Sequence, residues 1–158
     1  MTVIAPGTPV PAFRLATEEG APFTEADLHG HTTVLVFYPF AFSPVCSDQL
    51  SVYHEVLADL HAQDARMYGV SCDSSWTQRA FREKLGVSIP QLSDWEPKGA
   101  ACAAFGALHP DGFPERALVV VGPDRVVRWS HQARSPGDLP GVNLLFDGLA
   151  AAAAAPAG

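Results

Sequence analysis

Two short runs of β-branched and aromatic residues, 33–38 (TVLVFY) and 66–71 (RMYGVS), are each followed by a stretch with helical periodicity. This alternation restricts the chain more than any other feature. Strand–helix–strand connections require parallel strands with right-handed crossovers and helices lying on the faces of the sheet. Pro39 stops the first strand, and Cys46, Leu50, Tyr53, Leu57 and Leu60 then mark one face of a helix running to about Ala62. After the second strand, Ser74 or Ser75 caps a helix over 76–85, and Gly86 ends it where a left-handed residue is wanted. A short strand near Gln91 and Leu92 precedes a helix over 97–105 that Gly106 stops. The pattern then changes. Residues 117–121 and 126–130 are β-rich and separated by Gly122-Pro123-Asp124-Arg125, which is hairpin punctuation, so the second half is antiparallel. A last helix spans 139–155; its alanine run 150–155 has little to pack and is expected to fray before Pro156. Upstream, 12–16 reads as a strand, Glu18-Glu19-Gly20 as a turn and Thr24-x-x-Asp27 as a weak helical cap. The expected architecture is α/β, a mixed central sheet flanked by helices, in one domain over 1–158.

A chain of 158 residues is long enough to bury roughly 70% of the surface it exposes when unfolded, so no disulfide staple is required. No apolar run approaches the ~18 to 20 residues of a membrane span. The first cationic residue is Arg14, and Pro6, Pro9 and Pro11 interrupt any apolar leader, so the expected location is cytoplasmic. A net charge of -7 with ten Lys and Arg argues against nucleic acid as a partner. Cys46, Cys72 and Cys102 are too far apart in sequence for a disulfide framework or a paired zinc motif, and are expected as thiols in a reducing compartment. The histidines, including His29, His31, His54 and His61, lack a neighbouring ligand cluster; no metal and no cofactor are expected.

One of the thiols stands in a reactive position. Ser43 followed by Pro44 reads as a helix N-cap with proline at the first helical residue, which puts Cys46 third in the helix. Unpaired N–H groups and the positive end of the helix dipole meet there and favour a thiolate. A helix terminus supplies only part of the stabilisation such an ionisation needs, so a nearby cation is expected. Asp48, adjacent in sequence, falls on a different helix face.

Pro39, Ser43 and Cys46 match the peroxiredoxin active-site loop, Pro-x-x-x-Thr/Ser-x-x-Cys. Arg116, opening the run 117–121, resembles the arginine on the peroxiredoxin strand that completes that site. The resemblance extends from about Val3 to Leu149. Leu92-Ser93-Asp94-Trp95, Lys98-Gly99-Ala100, Phe105-Gly106 and the lack of a long C-terminal extension look most like the alkyl hydroperoxide reductase E type. The resemblance implies a thioredoxin-like fold with N-terminal additions. It also implies a thiol-dependent peroxidase reducing hydrogen peroxide and organic hydroperoxides through a sulfenic acid on Cys46. Ser43 Oγ and the backbone N–H groups of Val45 and Cys46 would hold the peroxide, Arg116 would stabilise the shifting charge, Pro39 would shield the sulfur, and Gln49 would orient its neighbours. No cysteine lies five residues after Cys46, so Cys72 and Cys102 remain as possible resolving residues. The default is a one-cysteine mechanism completed by a low-molecular-weight thiol or a redoxin. A homodimer using the 40–45 loop is expected. Two other readings remain: a thioredoxin-like disulfide exchanger in which Ser43 replaces the first cysteine of a CxxC, and a noncatalytic binding or holdase module with Phe40, Phe42, Trp76 and Trp95 as an exposed patch.

Overall fold

The computed structural model describes residues 2–154. Their strands are β1 (Arg14–Thr17), β2 (Pro22–Thr24), β3 (Thr32–Phe37), β4 (Ala65–Ser71), β5 (Gln91–Ser93), β6 (Ala117–Val121) and β7 (Val127–Gln132). They join one sheet in the order β2-β1-β5-β4-β3-β6-β7. β3, β4 and β5 are parallel, β6 adds antiparallel to β3, and β7 pairs antiparallel with β6 at the sheet edge. The switch from helical crossover to hairpin therefore falls where the sequence changes pattern. The N-terminal lead-in is itself a hairpin: β1 pairs with β2 and lies antiparallel against β5, and Thr24 and Asp27 form a reciprocal capping box on a single 3-10 turn.

Alternation along the strands divides the interior in two. Val34 and Val36 of β3, with Leu118 and Val120 of β6, face a layer containing Cys46, Leu50, Tyr53, Leu57, Leu60, Phe81, Leu145 and Leu149. Leu35 and Phe37, with Val119 and Val121, face the opposite way, against Cys72, Ala101, Cys102, Phe105 and the N-terminal Phe13 and Phe23. β6 is apolar at every position, and β3 from Val34 to Phe37, because both faces are covered.

Three helices differ from their expected bounds. The helix after Pro39 is two, α1 (Pro44–Glu55) and α2 (Leu57–Ala62), broken at Val56, whose φ of -107° and ψ of 7° leave the helical region. The apolar face survives the break, since Leu57 and Leu60 remain buried. α3 (Ser75–Leu85) is capped by Ser74, whose hydroxyl accepts from Thr77 N–H, and ends at left-handed Gly86. The helix expected over 97–105 shrinks to α4 (Ala100–Ala104) because the Asp94 carboxylate takes the N–H groups of Ala101 and Cys102, which starts the helix only after Gly99. α5 (Val142–Ala154) begins three residues later than expected, and the Pro140 carbonyl just ahead of it is held by a side chain of α1. The alanine run, expected to fray, instead continues α5 through alanines 150–154, the helical propensity of alanine sufficing there; residues 155–158 lie outside the described residues.

Gly86 and Gly106 both have positive φ but different surroundings. A Cβ on Gly86 would meet nothing within 4 Å, whereas one on Gly106 would come within 2.0 Å of the Thr2 carbonyl oxygen. Gly86→Ala should cost about 1–2 kcal/mol for the left-handed backbone alone. Gly106→Ala should cost more, by a further ~1–3 kcal/mol of overpacking. Urea denaturation of the two variants checks this; equal losses would mean that the N-terminal segment does not pack on Gly106.

Candidate active site

The loop between β3 and α1 is held at both ends. Tyr38 N–H donates to the Val70 carbonyl, extending the β3–β4 pairing, and Ala41 N–H donates to the Asp73 carboxylate at 2.8 Å. Phe42 then adopts a φ of 70°, rare for a bulky residue and costing on the order of 1–3 kcal/mol. That reversal lets Ser43 sit in extended conformation at the N-cap with Pro44 behind it. The Ser43 side chain makes no capping bond; its carbonyl accepts from the N–H and hydroxyl of Ser47, leaving Oγ uncommitted to the helix. Pro39 is buried beside the loop, Val45 is half-buried and Asp48 faces solvent.

Cys46 is fully buried in the third position of α1. Arg116 Nη2 donates to its Sγ at 3.2 Å. Arg116 itself is only 2% exposed, which a guanidinium tolerates only when its donors are occupied. Nη1 donates to Gln49 Oε1 at 2.5 Å, and Nε donates to the Pro136 carbonyl at 2.8 Å. Gln49, also fully buried, donates from Nε2 to Tyr53 Oη, and Tyr53 donates onward to the Pro140 carbonyl at 2.6 Å. Burial pushes the Tyr53 hydroxyl up to about 12, with Gln49 and Arg116 acting in the opposite direction, so the hydroxyl keeps the proton it donates.

The structure thus brings Cys46, Gln49 and Arg116 into one buried network, 70 residues separating the sulfur from the arginine. Tyr53 and the carbonyls of Pro136 and Pro140 belong to the same network and were not foreseen. Tyr53 had a signal, since it lies four residues after Gln49 on the same helix face; the two carbonyls had none.

Cys72 and Cys102 are elsewhere. Both lie in the core on the other face of the sheet from Cys46, and with Asp94 they form a group whose side-chain ligand atoms all fall within 4.8 Å of one another. No metal was expected from the sequence, which gave no sign of this cluster. Two sulfurs and a carboxylate already accepting two backbone N–H groups fall short of a four-ligand structural site, so it is not assigned as a metal centre. The four aromatics expected as an exposed patch are the large exposed apolar side chains among the described residues, at 49% for Phe40, 47% for Phe42, 81% for Trp76 and 56% for Trp95. A cavity of about 580 Å³ between β1 and the start of α3 does not include Cys46.

A buried arginine on the sulfur of a helix-start cysteine, carried on a sheet of this topology, defines a thiol oxidoreductase of the thioredoxin-like class. Residues 6–130 match the model of the AhpC/TSA family. Alkyl hydroperoxide reductase E of Mycobacterium tuberculosis is 28% identical over 147 residues, covering 92% of this chain and 95% of its own. Alkyl hydroperoxide reductase C of Amphibacillus xylanus is 32% identical over 129 residues, covering 77% of this chain and 69% of its own. Among solved structures, Enterococcus faecalis AhpC superposes with a TM-score of 0.85 at 26% identity, over 97% of this chain and 93% of that one. The chain belongs to the AhpC/TSA family and is a thiol-dependent peroxidase. Among the described residues no helix is long and apolar enough to cross a membrane.

Gln49 tests whether the network holds Arg116. Gln49→Leu should lower stability by about 1–3 kcal/mol, because it strands a buried guanidinium donor, whereas Gln49→Glu should keep an acceptor there and lose less. Urea midpoints of the two variants decide it; a leucine variant as stable as the glutamate one would remove Gln49 from the support of Arg116.

Proposed function

We propose that Cys46 is the peroxidatic cysteine and that the chain reduces hydroperoxides by a one-cysteine mechanism completed by an external thiol. The single observation that carries this reading is the Arg116 guanidinium bonded to Cys46 Sγ while its other donors are held by Gln49 and the Pro136 carbonyl. A positive charge fixed against the sulfur favours its anionic form, and the same rigid donors stabilise negative charge as it moves onto the departing oxygen. The Cys46 thiolate attacks one oxygen of ROOH, the O–O bond breaks, and RO⁻ leaves and is protonated to ROH. Cys46 is left as the sulfenic acid. One thiol then displaces water to form a mixed disulfide, and a second releases Cys46 with formation of the external disulfide.

Ser43 Oγ, not used as a cap, is available to bond the peroxide, together with the N–H groups of Val45 and Cys46. Pro39 limits water at the sulfur. The full burial of Cys46 favours a small oxidant over a protein disulfide, which counts against the disulfide-exchanger reading. The position of Cys72 and Cys102 across the sheet supports an external reductant, a low-molecular-weight thiol or a redoxin, rather than internal resolution. Three thiols without a disulfide are in keeping with a reducing, cytoplasmic setting.

The test is intact mass after one equivalent of hydrogen peroxide with a dimedone-type trap, for the unaltered protein, Cys46→Ser and Arg116→Ala. One trapped sulfenic acid on Cys46 is expected, absent in Cys46→Ser and formed at least about a hundredfold more slowly in Arg116→Ala. Equal oxidation of all three proteins would overturn the reading.

The exposed Phe40 and Phe42, on the loop that carries the site, are the surface proposed to form a homodimer. Light scattering across a concentration series should give twice the chain mass and fall toward one for Phe42→Glu; a monomer throughout would remove the dimer.

A further inference from the structure

The peroxide chemistry leaves two buried thiols and a buried carboxylate unused. Cys72 follows the last residue of β4, Asp94 follows the last residue of β5, and these parallel strands are adjacent in register, Ser71 opposite Ser93. Asp94 is tied down by donating its N–H to the Ser71 carbonyl at 2.8 Å and by accepting from the N–H groups of Ala101 and Cys102. Those last bonds fix Cys102 over the same sheet end. Neighbouring strands thus deliver one thiol and one carboxylate, and α4 delivers the second thiol, all within 4.8 Å of one another.

The two sulfurs are not equivalent. Cys102 is fully enclosed, whereas Cys72 is 6% exposed and lines a groove of about 210 Å³ with Pro39, Phe40, Trp95, Lys98 and Phe113. The neighbouring Cys102 thiol lowers the Cys72 thiol, with smaller help from the charge of Lys98, although burial and the charges of Asp94 and Asp73 oppose this. The Cys102 thiol is raised by the neighbouring Cys72 and by its burial. Burial also raises Asp94, which makes its carboxylate a better proton acceptor than an exposed one. A more acidic sulfur at the wall of a groove, an enclosed sulfur that retains its proton, and a buried carboxylate within 4.8 Å of both are the parts a dithiol–disulfide exchange needs.

We propose that Cys72 and Cys102 form a second thiol–disulfide exchange centre, separate from Cys46, that takes a low-molecular-weight disulfide at the groove, with Asp94 as the proton acceptor for Cys102. Cys72 thiolate attacks one sulfur of RS–SR; that S–S bond breaks, one RS⁻ leaves, and Cys72 carries the mixed disulfide. Cys102 passes its proton to Asp94 and attacks Cys72 Sγ, expelling the second RS⁻, which takes the proton back. Two protein thiols are oxidised to a disulfide and RS–SR is reduced to two RSH. The reverse sequence reduces the pair. Closing the bond brings the sulfurs from within 4.8 Å to about 2.05 Å, a rotation about side-chain bonds and a small approach of α4 toward the end of β4.

The experiment uses Cys46→Ser protein, which removes the peroxide chemistry, so its result does not depend on the reading of that site. The reduced protein is equilibrated in buffers of increasing oxidised-to-reduced glutathione ratio and its intact mass and non-reduced peptides are measured. The expected result is loss of two hydrogens with a single Cys72–Cys102 cross-linked peptide. With Cys102→Ser added, a stable glutathione adduct on Cys72 should accumulate instead. With Asp94→Asn added, closure of the mixed disulfide should slow by about tenfold or more at neutral pH, with the deficit shrinking as pH rises and Cys102 ionises unaided. A dithiol that persists at every ratio, or separate glutathione adducts on both cysteines without a cross-link, would overturn the proposal.

Discussion

The burial of the Arg116 guanidinium is the constraint around which the active-site half of the molecule is organised. A charge this enclosed is costly unless every donor has a partner, and the partners come from distant parts of the chain: Cys46 and Gln49 from α1, and the Pro136 carbonyl from the segment between β7 and α5. Tyr53 extends the same network to the Pro140 carbonyl and so ties α1 to the approach to α5. Positioning the Cys46 sulfur and satisfying the buried charge are therefore one structural requirement.

The sheet gives the protein two chemically separate interiors. Because side chains alternate along β3 and β6, the layer holding Cys46 and the layer holding Cys72 and Cys102 share a backbone but not a surface. They come together at the carboxyl ends of β3 and β4, where Asp73 receives the Ala41 N–H of the loop ahead of α1 and Cys72 lines a groove with Pro39 and Phe40. The strained Phe42 lies in that same loop, its ring tilted at 54° against Phe81 with centroids 5.2 Å apart. Strain of this kind persists only where the surrounding packing over-determines the geometry.

Much of the fold was legible because its signals are local. The strand runs, Ser74 and Gly86 bounding α3, Ser43 and Pro44 opening α1, and the Gly122–Arg125 turn all act within a few residues of the structure they specify. The expectations that shifted are those in which a distant group competed for the backbone. Asp94 captured the N–H groups that start α4, and Tyr53 took the Pro140 carbonyl ahead of α5. The site followed the same rule. Cys46 was visible from its helix position and Arg116 from its resemblance to a strand arginine, but the Pro136 carbonyl that accepts from Arg116 in the core carries no side-chain signature.

The sequence by itself determined the order of the elements, the parallel-then-antiparallel sheet and the placing of Cys46 at a helix start, because periodicity, capping and turn chemistry are read within a few residues. Only the tertiary structure decided which face of the sheet each cysteine occupies. It alone joined Arg116 to Cys46 across 70 residues and gathered Cys72, Asp94 and Cys102 into one cluster. Those contacts depend on strand order and register, since a slip of one residue would turn the side chains carried on a strand to the other face.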